Sequence, residues 1–426
     1  MAEQLLVSIY SVICFIYLIA RYRILSVEFI VSLFVYVPSL SVLYRVVMGA
    51  DFVNYQNFAL QENNALMAYS ISLLCLSFTI TLVVLHFKRN EKSASLDITR
   101  TVDHPRNAIS QLLLITLFLV FFTLSDKGGL GDSIFNTSYT DLLSKRVNNT
   151  EYAATLGIIF WIWSFLTFLN RKKDFIGRKI NIIFILATIW NLIWLFLHSS
   201  RMLFLLIANS YILYLILSKR KKLALTLLVI SIFALTVLGW VREALYNPAL
   251  TIFNEDESVS VASLPGGASN VLMSFVITCD YFKDSTFYYG ETFLNYLFQL
   301  PPGPLARLFN YEPPPYFDSI GIFDRYDWNG GINAASIFYA NFGVIGICIY
   351  GIFVGVYIKS IVYLLKSKRV LKQTAGYFMF SYSIPVFWYE IIQFIKPILF
   401  ILFLFIVNKI IIAATSKNAL KHSAID

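Results

Sequence analysis

The chain has 426 residues, of which 34 are Lys or Arg and 25 are Asp or Glu, for a net charge of +9. Only 14% of it is charged, while 58% is hydrophobic and 17% aromatic, and its mean hydropathy is +0.68. A soluble domain carries roughly 25% charged and about 45–50% apolar residues, so this composition excludes a cytosolic enzyme, a nucleic-acid binder and a disordered scaffold.

A bilayer-crossing helix needs about 20 mostly apolar residues. Eleven stretches qualify: 4–20, 28–48, 66–86, 108–124, 152–170, 180–198, 202–218, 223–241, 334–364, 375–394 and 397–414. The first is expected to remain in the protein as a span. Met1 to Gln4 holds no Lys or Arg, and Arg21-Tyr22-Arg23 stands where a cleavage site would need small residues. The ninth is long enough to tilt or to extend past the bilayer.

The connections alternate in charge. One face collects 24 Lys+Arg and 6 Asp+Glu, the other 10 and 19. The Lys/Arg excess marks the cytoplasmic side, which predicts an external N-terminus and a cytoplasmic C-terminus. No cytoplasmic connection is long enough for a nucleotide-binding domain, and there is no Walker loop or Gly-rich dinucleotide fingerprint. The long connections, 49–65, 125–151 and 242–333, all fall outside. Long loops in compact proteins are usually functional or disordered. The last is rich in aromatics and prolines (Phe287-Tyr288-Tyr289, Pro313-Pro314-Pro315) and reads as short amphipathic helices at the membrane interface. The chain divides into spans one to eight (1–241), this loop (242–333), and three further spans with a cytoplasmic tail (334–426). The four cysteines lie far apart and predict neither a disulfide framework nor a metal site.

Candidate chemistry gathers outside. Leu197-His198-Ser199-Ser200-Arg201 makes a short turn that puts Arg201 at the start of an apolar helix. Free N–H groups and a guanidinium fork together suit phosphate oxygens. An interfacial arginine solvating its own helix end is the plain alternative. Arg242 opens the long loop at similar depth, with a snorkelling role or a pair with Glu243 as its alternative. Arg45 sits among apolar neighbours, where Glu390 is a candidate partner. Lys145-Arg146 and Arg325 are candidates for steering an anion. Phe323-Asp324-Arg325-Tyr326-Asp327-Trp328 mixes carboxylates and aromatics as saccharide sites do, or forms a polar turn before a helix capped by Asn333. The glycines Gly343, Gly346, Gly351 and Gly355 predict close helix packing.

Three features resemble bacterial O-antigen polymerases of the Wzy type, within the wider group that includes the O-antigen ligases. They are the layout of many spans with one large late outer loop, Ser200-Arg201 opening an apolar helix, and the run from Asn333 through Asn341-Phe342-Gly343-Val344-Ile345-Gly346. That run is similar to a ligase pattern of His-Asn, an apolar stretch, an acid and Gly-x-x-Gly. Ile332 and Asn341 replace the histidine and the acid, which argues against a ligase. The resemblance implies an all-α, GT-C-like integral membrane protein of about 11 transmembrane helices in the bacterial inner membrane. It implies a glycosyltransferase that uses no metal and no other cofactor. The substrate would be an oligosaccharide on undecaprenyl pyrophosphate, and a chain-length regulator protein is a partner it leaves room for. Arg201 and Arg242 would hold the leaving pyrophosphate. His198, Asp324 and Asp327 are alternative bases or orienting groups for the acceptor hydroxyl. Tyr326 and Asn333 would contact sugar. A lipid-linked oligosaccharide flippase or other transporter is the competing reading from another class.

Overall fold

The computed structural model describes residues 2–22, 25–48, 64–86, 108–124, 149–170, 175–197, 201–231, 266–298, 309, 322, 332–388, 399, 402 and 406. Among these residues every regular element is a helix. In chain order they are α1 (Ala2–Tyr22), α2 (Val27–Met48), α3 (Asn64–His86), α4 (Ala108–Leu124), α5 (Asn149–Asn170), α6 (Phe175–Leu197) and α7 (Arg201–Leu217), then α8 (221–231). After these come α9 (Gly266–Tyr281), α10 (Glu291–Phe298), α11 (Ala334–Leu365), α12 (Val370–Ser381) and α13 (Ser383–Trp388). Each of the first ten apolar stretches coincides with helix in its described part. The eleventh, 397–414, lies outside the described residues except at isolated positions.

Local chemistry sets several helix ends. Ser26 Oγ accepts from the Phe29 N–H at 3.1 Å, satisfying one orphan donor at the start of α2. At the end of α7, Lys219 turns left-handed (φ 61), and the Arg220 N–H reaches the Leu215 carbonyl at 2.9 Å. That closes carbonyls the helix could not use itself.

Among the described residues, three helices are long and apolar enough to cross a membrane: Leu5–Tyr22, Ala65–His86 and Ala334–Leu365. Shorter apolar helices pack around them. The helices bury a continuous apolar core in which small hydroxyls are interspersed, and large apolar side chains also face outward. Ile13 and Ile16 of α1 and Leu186 and Trp190 of α6 are exposed, while Ser8, Ser11, Ser32, Ser70, Ser77 and Thr81 are buried. Ser70, Ser77 and Thr81 close on their own helix, Ser70 on the Leu66 carbonyl at 2.9 Å, while Ser11 meets Cys75 of α3. Some bridge helices. The hydroxyls of Tyr36 and Thr81 stand 2.8 Å apart, Thr81 donates to the Gly351 carbonyl at 3.0 Å, and Ser210 meets Ser381 at 2.7 Å. In an apolar medium such bonds average about 0.6 kcal/mol each.

Neighbouring helices have defined directions. α4 and α5 run antiparallel, with Gln111 donating to the Ser164 carbonyl near one end and Phe121 stacked on Phe160 toward the other. α3 and α11 run parallel, with Tyr69 near Tyr339 and Thr81 on Gly351 farther along. Tyr22 donates to the Leu85 carbonyl, and Lys366 is close enough to Glu28 for their charges to interact. The ends next to the basic connections at 21–23, 88–106 and 366–372 therefore gather together.

The glycines of α11 divide into two jobs. Gly351 and Gly355 serve close packing as expected: a Cβ would stand 2.5 Å from the Ser77 carbonyl oxygen and 2.6 Å from Val84 Cγ1, respectively. Gly343 instead breaks the helix, with φ 57 and ψ −135. The ninth stretch is therefore two arms, 334–342 and 344–365, rather than one tilted or overlong rod. At about 1.5 Å per residue the second arm spans roughly 33 Å, against a hydrocarbon core of about 30 Å. α9 also departs from expectation. Residues 271–279 are buried throughout, so it is a core helix rather than an amphipathic interfacial one. The run Val271 to Cys279 is apolar on all sides, and its two hydroxyl residues, Ser274 and Thr278, donate to their own helix carbonyls.

Gly351→Ala drives a methyl against backbone, so it is expected to lower stability by about 1–3 kcal/mol. Thermal unfolding in detergent measures this. Val83→Ala, on an exposed side chain of α3, should leave the midpoint in place.

Candidate functional site

The break in α11 carries the densest polar construction among the described residues. In an unbroken helix the carbonyls of Ala340 and Asn341 would accept from residues 344 and 345. Gly343 removes that option. The turn between α9 and α10 supplies donors instead: the Tyr288 N–H reaches the Ala340 carbonyl at 2.9 Å, and the Tyr289 N–H reaches the Asn341 carbonyl at 3.1 Å. The Gly290 N–H completes the set on Asn341 Oδ1 at 2.9 Å. Three successive N–H groups thus converge on the end of the first arm. Tyr289 (φ 47) and Gly290 (φ 98) are both left-handed, and this curls the turn onto the arm.

Asn341 is fully buried and fully used. Its Nδ2 donates to the Ile337 carbonyl at 2.6 Å and to Thr292 Oγ1, while its Oδ1 takes Gly290. Asn333 starts the same arm. Its Oδ1 accepts from the Ala335 N–H at 3.0 Å, and its own N–H donates to Ser274 Oγ of α9 at 2.8 Å. Asn333 is buried, so the structure gives it the capping role.

Rings fill the space around these bonds. Phe287 packs where a Cβ on Gly343 would stand 2.9 Å from its ring. It stacks on Phe282 and meets Tyr339 edge-on, and Phe293 stacks on Phe342. A Cβ on Gly346 would stand 1.9 Å from the Phe338 carbonyl oxygen, so the break folds the arms too closely for any side chain there. Burial pushes the Tyr288 phenol up to about 12, with Tyr281 and Glu291 adding to the shift. It stays protonated at physiological pH and is no general base.

The remaining sequence candidates are placed only in part. Arg201 is the first residue of α7, separated by three residues from the end of α6 at Leu197, and Arg45 lies in α2. The side chains of both lie outside the described residues, as do Arg242, His198, Asp327, Arg146, Arg325, Asp324 and Tyr326. Among the candidates, the structure joins Asn333 to the Asn341–Gly343 run that carried the family resemblance. Sequence reasoning missed Ser274, Gly290 and Thr292. Gly290, directly after three aromatics, was the available signal for a left-handed turn. Comparison with protein-family models, curated proteins and solved structures finds no match.

Asn341→Asp tests the site. The carboxylate has no donor for the Ile337 carbonyl and adds a buried charge, so a loss of about 3 kcal/mol or more is expected, exceeding that of Asn341→Ala. Thermal unfolding in detergent ranks the two. An aspartate variant as stable as the parent would refute this account of the amide.

Proposed function

We propose that this protein is a metal-independent membrane glycosyltransferase of the O-antigen polymerase type. In this reading the fold is GT-C-like, with eleven spans. The enzyme moves a growing glycan from undecaprenyl pyrophosphate onto a new lipid-linked repeat unit at the external face of the bacterial inner membrane. The observation that carries the proposal is the position of Arg201. It opens α7 directly after a three-residue connection, as the Ser-Arg resemblance requires. In this reading the guanidinium and the free N–H groups of that helix start would serve the same anion. Arg242 is the second cation for the leaving pyrophosphate. A placed donor at a developing anion contributes about 3 kcal/mol, by analogy with oxyanion-hole groups.

The second supporting feature is the pinned loop. The bonds from 288–290 to the end of the first arm fix the middle of the 242–333 segment against α11. A polymer-forming enzyme needs such a platform, because donor and acceptor must meet at one place. The break at Gly343 also bears on the competing reading, a flippase or transporter, since transporters use broken helices to bind cargo through unwound carbonyls. Here the Ala340 and Asn341 carbonyls already accept from the loop, which favours the enzyme.

Deletion of the gene in its host should leave lipid A–core capped with a single repeat unit. Bare core would indicate a ligase or a flippase, and a full ladder would end the polymerase reading. Arg201→Ala and Arg242→Ala should each abolish long chains while membrane levels of the protein stay normal. Full ladders from both variants would overturn the pyrophosphate seat.

A further inference from the structure

We propose that residues 294–298, together with the start of the second arm of α11, form a foot that rests directly on lipid acyl chains at the Asn341 end of the bundle. The inference depends on the chain being a membrane protein and is independent of the enzyme reading.

The first observation is that α10 is apolar on both sides beyond Glu291. Thr292 and Tyr296 are buried, Phe293 packs on Phe338 and Phe342, and the Thr292 hydroxyl is committed to Asn341. Leu294, Leu297 and Phe298 face outward, exposed at 55%, 54% and 56%. A short helix on a watery surface carries polar residues on its outer side. An outer side of leucine and phenylalanine fits an apolar medium instead.

The second observation is continuity. Val344 and Ile345, the first residues beyond the break, are exposed, Ile345 at 70%. From there the exposed positions Ile349, Ile352 and Val356 follow at helical spacing down an arm long enough to span the hydrocarbon. The surface beside α10 is thus the upper end of the lipid-facing stripe of this span.

The third observation is a gradient of polarity along the turn. Lys283 pairs with Asp280 at 2.9 Å, with the lysine exposed, so that corner is wet. Next comes Tyr289, 77% exposed and held left-handed by its N–H bond to Asn341. A tyrosine with an apolar ring and a polar tip suits the headgroup boundary. Glu291 beside it is also exposed and belongs to the same boundary, and beyond Glu291 the open residues are leucine and phenylalanine. The order wet, boundary, apolar over fifteen residues is what a segment dipping into one leaflet presents. Its backbone tolerates that medium because α10 is helical and the turn donates to α11.

The test places the photoreactive residue p-benzoylphenylalanine at Leu297, at Ile345 and, as the wet control, at Lys283 of the full-length protein. The protein is reconstituted in vesicles of phosphatidylethanolamine and phosphatidylglycerol and irradiated. Peptide mass spectrometry should find phospholipid adducts at 297 and 345 and none at 283. Cross-links from 297 only to other peptides of this chain, or to a second copy, would overturn the foot, as would an unreacted, water-quenched probe. If the 297 variant fails to insert, the same probe at Phe298 gives the same readout.

Discussion

In an apolar surrounding, a polypeptide has to satisfy its own backbone, because no water is available to do so. Helices achieve this within themselves, and nearly the whole described structure follows from that constraint. The hard point is Gly343, where a helix stops and restarts. The carbonyls of Ala340 and Asn341 lose their helical donors there, and the turn at 288–290 restores them. The same contact fastens α9 and α10 to α11, so a local backbone necessity becomes the tertiary link between a loop and a span.

The exchange explains the residue choices around it. Asn341 needs an amide because it accepts from Gly290 and donates to Ile337 and Thr292 at once. A carboxylate offers no donor, and an aliphatic residue offers neither function. Gly343 needs a backbone that L side chains rarely adopt, and Gly346 needs the absence of a Cβ. A run that resembled a catalytic motif is thus committed to architecture. The acid of the similar ligase pattern has no counterpart as a free group here. The catalytic burden in the proposed enzyme moves to the arginines of the external turns.

Apolar side chains lie both in the core and on the outside, and the buried polar groups among them are mostly small hydroxyls at helix contacts. Parallel packing of α3 on α11 uses Gly351 and Gly355 to bring backbones close, and the Thr81 hydroxyl then reaches the Gly351 carbonyl. α10 is likewise apolar within and without, with Phe293 on Phe342 and Leu294 and Leu297 outside, although it falls in what the sequence marks as a loop.

The amino-acid order alone determined the helical class, the bounds of most apolar helices within a few residues and the alternation of basic connections, because each depends on runs of apolarity or charge that are local in the chain. It also marked Asn333 as a cap, Arg201 as a helix start and Gly351 and Gly355 as packing glycines. It did not mark the break. Val344 to Leu365 and Ala334 to Phe342 are both apolar and helical in pattern, so nothing local separates them. Nor did it mark α9 as buried, since an all-apolar helix of that length reads alike in a core or at an interface. Only the tertiary structure decided these, because the break is tolerable solely where donors from residues some fifty positions earlier arrive to fill it.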